Sequence, residues 1–367
     1  MKIALVHDYI KELGGAERVL KTLSEMYPDA PIYTAFSVRD SAAEKEFRGK
    51  KIIESWLAPI LKIWKLYSPL RFLIPVIWKS FDLSKFDLVI TSSSWYVTRG
   101  FKVGKNTKVI DYCHTPPRWL YGYETSVGFT KYWPVKVYAA IVGHFIRIFD
   151  FKTAQSVNYF IANSKNTAER IKKFYRRDST VIYPPCDVER IIETTKNVKK
   201  ETFFLIASRL TGAKGIEEAI RFSKKIGFKL KIVGEGAGYS NILEKYKNEV
   251  EFLGRLTDEE HYKTYAKAKG FFALAKDEDF GMTVVEAQAA GTPVVAFNGG
   301  GFRESVINNE TGILINEISE SSIREAIKKV GEIKWNREKL LENARKFSKD
   351  KFVSRMEEFV ARTKQLI

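Results

Sequence analysis

DEDFGMTVVEAQAAGTPVVA, residues 277–296, directly follows the apolar run FFALA, residues 271–275. A short apolar run bounded by a polar loop reads as a buried strand, and the spacing after Gly281 predicts a helix starting near Met282. The N–H groups of Gly281, Met282 and Thr283 then point out of the helix end and form an anion site. Gly281 lets a ligand approach the backbone closely. Glu278 lies in the loop on one side of this end, and Glu286 lies about 6 Å inside the helix on the other. Acids favour a helix N-terminus by about 0.3–1 kcal/mol, which accounts for Asp277 or Asp279 but not for Glu286, past the first turn. Two carboxylates around a phosphate site suit a ligand with hydroxyls at both ends: sugar, diphosphate, ribose.

Outward from this stretch, the runs FFLIAS (203–208), LKIVG (230–234), VEFLG (250–254), TPVVAF (292–297) and GILI (312–315) read as further short strands. Helical periods separate most of them, so the second half is a parallel sheet covered on both faces, with ligands at the carboxyl ends of its strands. The first half repeats the scheme: IALVHDY, then LGGAERV (13–19) opening a helix, then strands at 86–92, 108–114, 157–163 and 180–185. The fold class is therefore α/β, two Rossmann-like doubly wound domains, expected at 1–186 and 201–350. The polar stretch 187–200 reads as a linker, and 351–367 as a helix that can cross back to the first domain.

The chain has 367 residues, enough for two cores, and 45% hydrophobic content places it among globular proteins. Its net charge of +17 is uneven. Residues 1–200 hold 33 Lys and Arg against 19 Asp and Glu, so the first half faces something anionic: a membrane surface, a phosphorylated acceptor or nucleic acid. Two distant cysteines, Cys113 and Cys186, make neither a disulfide framework nor a metal pair, which suits a reducing cytoplasm. Neither a signal peptide nor a membrane span is expected. Two segments, 56–81 and 132–149, are basic and aromatic without one acid. Such amphipathic stretches suit docking to an anionic membrane surface, with a solvated core helix as the plain alternative.

SRLTGAKG, residues 208–215, places Arg209 and Lys214 around a short loop at the end of a strand. Two fixed cations there can stabilise a leaving diphosphate in place of a metal ion. The order of residues is not that of a Walker A loop. DYCHTPPRWLYG, residues 111–122, puts His114 at a strand end beside prolines, Arg118, Trp119 and Tyr121. His7, His144 and His261 lack such surroundings.

EDFGMTVVE resembles the Glu-x7-Glu signature of the family-4 retaining glycosyltransferases with the GT-B fold. The likeness extends to the glycine loop, HTPPR, NSKNTAERI (163–171), VIYPPCD (181–187) and the Arg209/Lys214 element. It departs at Cys186, where the family more often has an aliphatic residue. The resemblance implies two domains facing across a cleft, with Glu278 on sugar hydroxyls and Glu286 on ribose. It further implies Arg209, Lys214 and the Gly281–Thr283 amides on the diphosphate, Phe280 among the donor-binding residues, Gly14 and Gly15 near the donor phosphate, and His114 beside the donor sugar. Catalytic roles then fall to His114, Glu278, Arg209 and Lys214, without a metal or other cofactor. HTPPR is common in mannosyltransferase-like members, making GDP-mannose the first expected donor and a UDP-hexose the second. The acceptor is expected to be a glycan, lipid-linked, in polysaccharide biosynthesis at the inner face of the membrane. A nucleotide-sugar 2-epimerase shares the fold. A nucleic-acid-binding module would explain the charge but not the glutamate pair, and no nucleic-acid partner is expected.

Overall fold

The computed structural model describes residues 1–63, 67–123, 132–209, 214–235 and 239–364. They form two compact units, the first from residues 1–123, 132–185 and 352–364, the second from Cys186–Lys351.

The first unit carries seven strands: β1 (Ile3–His7), β2 (Ile32–Thr34), β3 (Ile52–Glu54), β4 (Leu88–Ser93), β5 (Lys108–Cys113), β6 (Tyr159–Ala162) and β7 (Ser179–Val181). Their order is β3-β2-β1-β4-β5-β6-β7, and every pairing is parallel. The central strands are buried on both faces because helices cover both, as a parallel sheet requires. On one face, Val19, Leu20 and Leu23 of helix Gly15–Met26 pack with Leu5, Ile90 and Ile110. Phe352, Met356 and Val360 of helix Lys349–Lys364 join that same core, with the Phe352 ring against Tyr112 at 5.7 Å.

The second unit carries β8 (Phe203–Ala207), β9 (Lys229–Val233), β10 (Glu251–Gly254), β11 (Gly270–Ala273), β12 (Val294–Phe297) and β13 (Gly312–Ile315). Their order is β10-β9-β8-β11-β12-β13, again parallel throughout. In both sheets strand order reverses once, between β1 and β4 and between β8 and β11. Open parallel sheets bind ligands at the carboxyl ends of the strands flanking such a reversal.

Two sequence readings change. Residues 187–200, expected as a linker, hold helix Val188–Thr195, whose Val188, Ile191 and Thr195 are buried in the second unit. Its apolar residues recur at helical spacing, so burial outweighs the polar composition. The segment 56–81 is not one amphipathic surface helix. It breaks into Ala58–Lys62, the 3-10 turn Pro69–Leu73 and Ile74–Lys79, and Leu61, Ile74, Ile77 and Trp78 enter the core. Trp78 is enclosed and donates to the Tyr96 carbonyl at 2.7 Å. Trp64 and Lys65 lie outside the described residues. Segment 132–149 belongs to helix Trp133–Gln155, which keeps Trp133, Val137, Ile141, Phe145 and Ile148 exposed.

Candidate active site

The residues singled out in the sequence fall into two groups, one at each strand-order reversal. In the second unit, β11 ends in a loop that leads into helix Met282–Ala289. Gly281 caps this helix in the left-handed region at φ +88°, and a Cβ there would lie 2.5 Å from the Phe302 ring. Only glycine makes that turn without strain. No side chain caps the helix and its first turn carries no acid, so its positive end is left for an anion. Met282 and Thr283 are half-buried at this end. The Phe280 ring is buried against Phe347 at 5.2 Å and wedges the loop in place.

The loop brings Glu278 to Lys214, with Nζ and Oε2 2.5 Å apart. Lys214 follows β8, the strand beside β11, so the reversal point itself joins the two residues. The pair is about four-fifths buried, which strengthens its attraction over that of a surface pair. Arg209 is exposed just past β8, and residues 210–213 lie outside the described ones. Glu286 is 2% exposed and accepts a hydrogen bond from Tyr265 Oη at 3.0 Å. No sequence pattern pointed to Tyr265. Nor did one single out the run Gly299–Gly301, which packs on the glutamate loop. Gly301 N–H donates to the Glu278 carbonyl at 2.9 Å. A Cβ on Gly300 would lie 2.3 Å from that same oxygen. Three successive glycines after a strand were the available signal.

In the first unit, His114 directly follows β5 and is buried. Its Nε2 lies 2.8 Å from Ser92 Oγ on β4, and Ser92 Oγ lies 3.1 Å from His7 Nδ1 on β1. Burial pushes the His114 pKa down to about 3, with the neighbouring His7 adding to the effect. His114 is therefore a neutral hydrogen-bonding group at pH 7, not a cation. The arrangement corrects the reading of His7 as a histidine without context. His7 and Ser92 are register partners on adjacent strands, which no local pattern can show.

Gly14 and Gly15 open helix Gly15–Met26, but neither has a positive φ. What the first needs is space: Glu17 Oε2 accepts the Gly14 N–H at 2.8 Å, and a Cβ on Gly14 would lie 3.0 Å from that oxygen. Asp8, also unnoticed in the sequence, closes β1 by accepting from Ser94 N–H at 3.1 Å, Ser94 Oγ at 2.8 Å, Trp95 N–H at 2.5 Å and Thr98 Oγ1. It fixes the loop after β4 against the end of β1. Trp119 and Tyr121, which follow His114 in the sequence, are packing groups. Trp119 Nε1 donates to the Trp95 carbonyl at 3.0 Å, and Tyr121 Oη donates to Asp150 Oδ2 at 2.7 Å. Both cysteines are buried thiols. Among the described residues, no helix is long and apolar enough to cross a membrane.

Comparison with known proteins agrees with this geometry. Residues 13–190 match the family described as Glycosyltransferase Family 4, and residues 187–347 match Glycosyl transferases group 1. An uncharacterised glycosyltransferase of Methanocaldococcus jannaschii is 27% identical over 205 residues, 55% of this chain and 57% of that protein. A Klebsiella pneumoniae protein of 41.2 kDa in the cps region is 26% identical over 78% of this chain and 80% of its own length. The chain thus spans little more than half of the first of these relatives. Among solved structures, Anabaena HepE in complex with UDP and glucose superposes over 98% of this chain and 99% of its own, with a TM-score of 0.69 at 19% identity. At that identity the likeness speaks for the GT-B fold.

Proposed function

We infer that the chain is a glycosyltransferase, since residues 13–190 match the model described as Glycosyltransferase Family 4 and residues 187–347 that described as Glycosyl transferases group 1. From that premise we propose that it moves a hexose from a nucleotide diphosphate sugar to a hydroxyl of a glycan acceptor, with retention at the anomeric carbon and no bound metal. The Lys214–Glu278 pair beside the uncapped helix end at the β8/β11 reversal carries this reading. The bond from the anomeric carbon to the diphosphate breaks and its electron pair leaves with the nucleotide. Lys214, Arg209 and the N–H groups at Gly281–Thr283 stabilise that charge. The acceptor oxygen bonds the same face, and its proton passes to the leaving phosphate oxygen. An arriving diphosphate competes with Glu278 for Lys214, which frees the carboxylate for sugar hydroxyls. Glu286, oriented by Tyr265, takes ribose hydroxyls, and neutral His114 meets the sugar.

GDP-mannose remains the first donor to test because of the HTPPR segment. The UDP and glucose bound to the similarly folded HepE favour a UDP-hexose as the alternative. The test is thermal stabilisation against UDP, GDP, ADP and their sugars with EDTA present, since a ligand of the folded state raises Tm by mass action. A shift with one nucleotide, abolished in Glu286→Ala, supports the donor site; no shift with any of them removes it. Conversion of the donor sugar with no acceptor would favour a 2-epimerase instead.

A lipid-linked acceptor and peripheral membrane contact complete the proposal. Helix Trp133–Gln155 exposes Trp133 (76%) and Phe145 (65%) on one stripe with Val137, Ile141 and Ile148. Its exposed charges, Lys136 and Lys152, are both basic. Apolar residues with basic neighbours suit an anionic bilayer surface. Co-sedimentation with phosphatidylglycerol vesicles, lost in Phe145→Asp, supports the contact. Failure to bind such vesicles at low salt ends it.

A further inference from the structure

Glu17, His7, Ser92 and His114 form one buried polar chain at the carboxyl ends of β1, β4 and β5. Glu17 Oε2 is taken by the Gly14 N–H at 2.8 Å, while Oε1 lies 3.5 Å from His7 Nε2. His7 Nε2 is enclosed and makes no hydrogen bond among the described residues, so this carboxylate is the charge it faces. His7 Nδ1 and His114 Nε2 then share the single hydroxyl of Ser92, at 3.1 and 2.8 Å.

We infer that Glu17 decides which nitrogen of His114 carries the proton, acting through His7 and Ser92. The argument is one of donors and acceptors. A carboxylate only accepts, a neutral imidazole has one N–H and one lone pair, and a serine hydroxyl has one proton. A lone pair on His7 Nε2 would face a negative oxygen only 3.5 Å away, so a neutral His7 keeps its proton on Nε2. His7 Nδ1 is then an acceptor and takes the Ser92 O–H. Ser92 Oγ is left to accept, and His114 must donate to it from Nε2. His114 Nδ1 is therefore a bare lone pair. Burial raises the Glu17 pKa, but the His7 contact and the Gly14 N–H outweigh it, so the carboxyl titrates below its ordinary value and stays charged. The second step rests on the proposed function: if His114 meets the donor sugar, it does so as an acceptor from a sugar hydroxyl. Glu17, His7 and Ser92 are thus positioning residues.

Glu17→Gln tests this because the Gly14 N–H holds the amide oxygen where Oε2 now sits and turns the NH2 group toward His7. His7 Nε2 must then accept, its Nδ1–H donates to Ser92, the serine donates to His114 Nε2, and the His114 proton moves to Nδ1. Imidazole 15N chemical shifts of the full chain at pH 8 read this directly, with four histidines to assign. The expected result is the Nε2–H form of His114 in the native protein, the Nδ1–H form in Glu17→Gln, and no response to residue 17 once Ser92→Ala breaks the chain. The same tautomer in the native protein and in Glu17→Gln would overturn the inference. Donor kinetics report separately on the functional reading. Loss of one hydrogen bond of this kind raises donor KM about tenfold. A tautomer that switches while KM stays fixed upholds the relay and removes His114 from the sugar.

Discussion

Among the described residues of the first unit, His7, Asp8, Arg99, Asp111, His114, Asp150 and Arg170 are buried; in the second unit Glu286 is the one buried side chain of this kind. The sheets share an architecture, yet one is built over a charged interior and the other over a stack of phenylalanines. Arg99 binds Asp111, Asp150 and the Tyr175 hydroxyl, and Tyr121 reaches Asp150 as well. In the second unit Phe204, Phe228 and Phe272 pack ring on ring, and most of the polar chemistry sits in the loops past the strand ends. The lesson is a division of consequences. Substitutions in the Arg99 cluster of the first unit disturb folding, and substitutions in the loops past the strand ends of the second disturb binding.

Arg99→Met gives the harshest test. It leaves two buried carboxylates without their cation, a change that costs about 3–5 kcal/mol. Tryptophan fluorescence during urea unfolding follows it, since six of the seven tryptophans precede residue 134. A midpoint unchanged from the native protein would break the comparison. Glu278→Gln comes next, with transfer slowed about 10²–10³-fold and the urea midpoint moved less than in Arg99→Met, since this pair keeps some contact with solvent. An equal folding defect in that variant would blur the division.

Gly281→Ala sharpens it further, because the site's shape depends on backbone there. A left-handed alanine costs about 1–2 kcal/mol, and the Phe302 ring must also shift. Differential scanning calorimetry should show the loss, together with weaker nucleotide binding. The mildest effect concerns Lys200, whose side chain is exposed but whose ammonium is tucked against the Ala268 carbonyl at 3.0 Å, where desolvation pushes its pKa down to about 7, with the Arg337 charge adding to it. The unfolded chain holds that proton up to about pH 10.4, while the folded chain releases it near 7. The unfolded state thus binds more protons in this window, and stability rises with pH, by a fraction of the full linkage because solvent reaches much of the side chain. Lys200→Met should flatten the rise, and denaturation at pH 7 and 9 decides it.

The glutamate stretch was legible because its meaning is local: a strand, a turn that needs glycine, and a helix follow one another within twenty residues. Helix Val188–Thr195 was hidden by composition, although Val188 and Ile191 keep helical spacing. Strands Ile32–Thr34 and Ile52–Glu54 escaped because three residues are too few to show a period. Ser92 and His7 stand 85 residues apart and meet only through strand register, and Tyr265 meets Glu286 across 21 residues. The glycines at 299–301 are explained by a backbone they touch, not by any pattern of their own. Chemistry carried by a contiguous motif was readable; chemistry assembled by the sheet was not.

The helix Lys349–Lys364 has a consequence for how this chain comes off the ribosome. Phe352, Met356 and Val360 complete a core that begins at Leu5, so the first unit is not sealed until residue 360 has emerged. The second unit is contiguous over 186–351 and can close earlier. Loop closure over such a span is entropically costly and slow. The part made first is therefore the part finished last, and its strands wait unsealed while the other half folds.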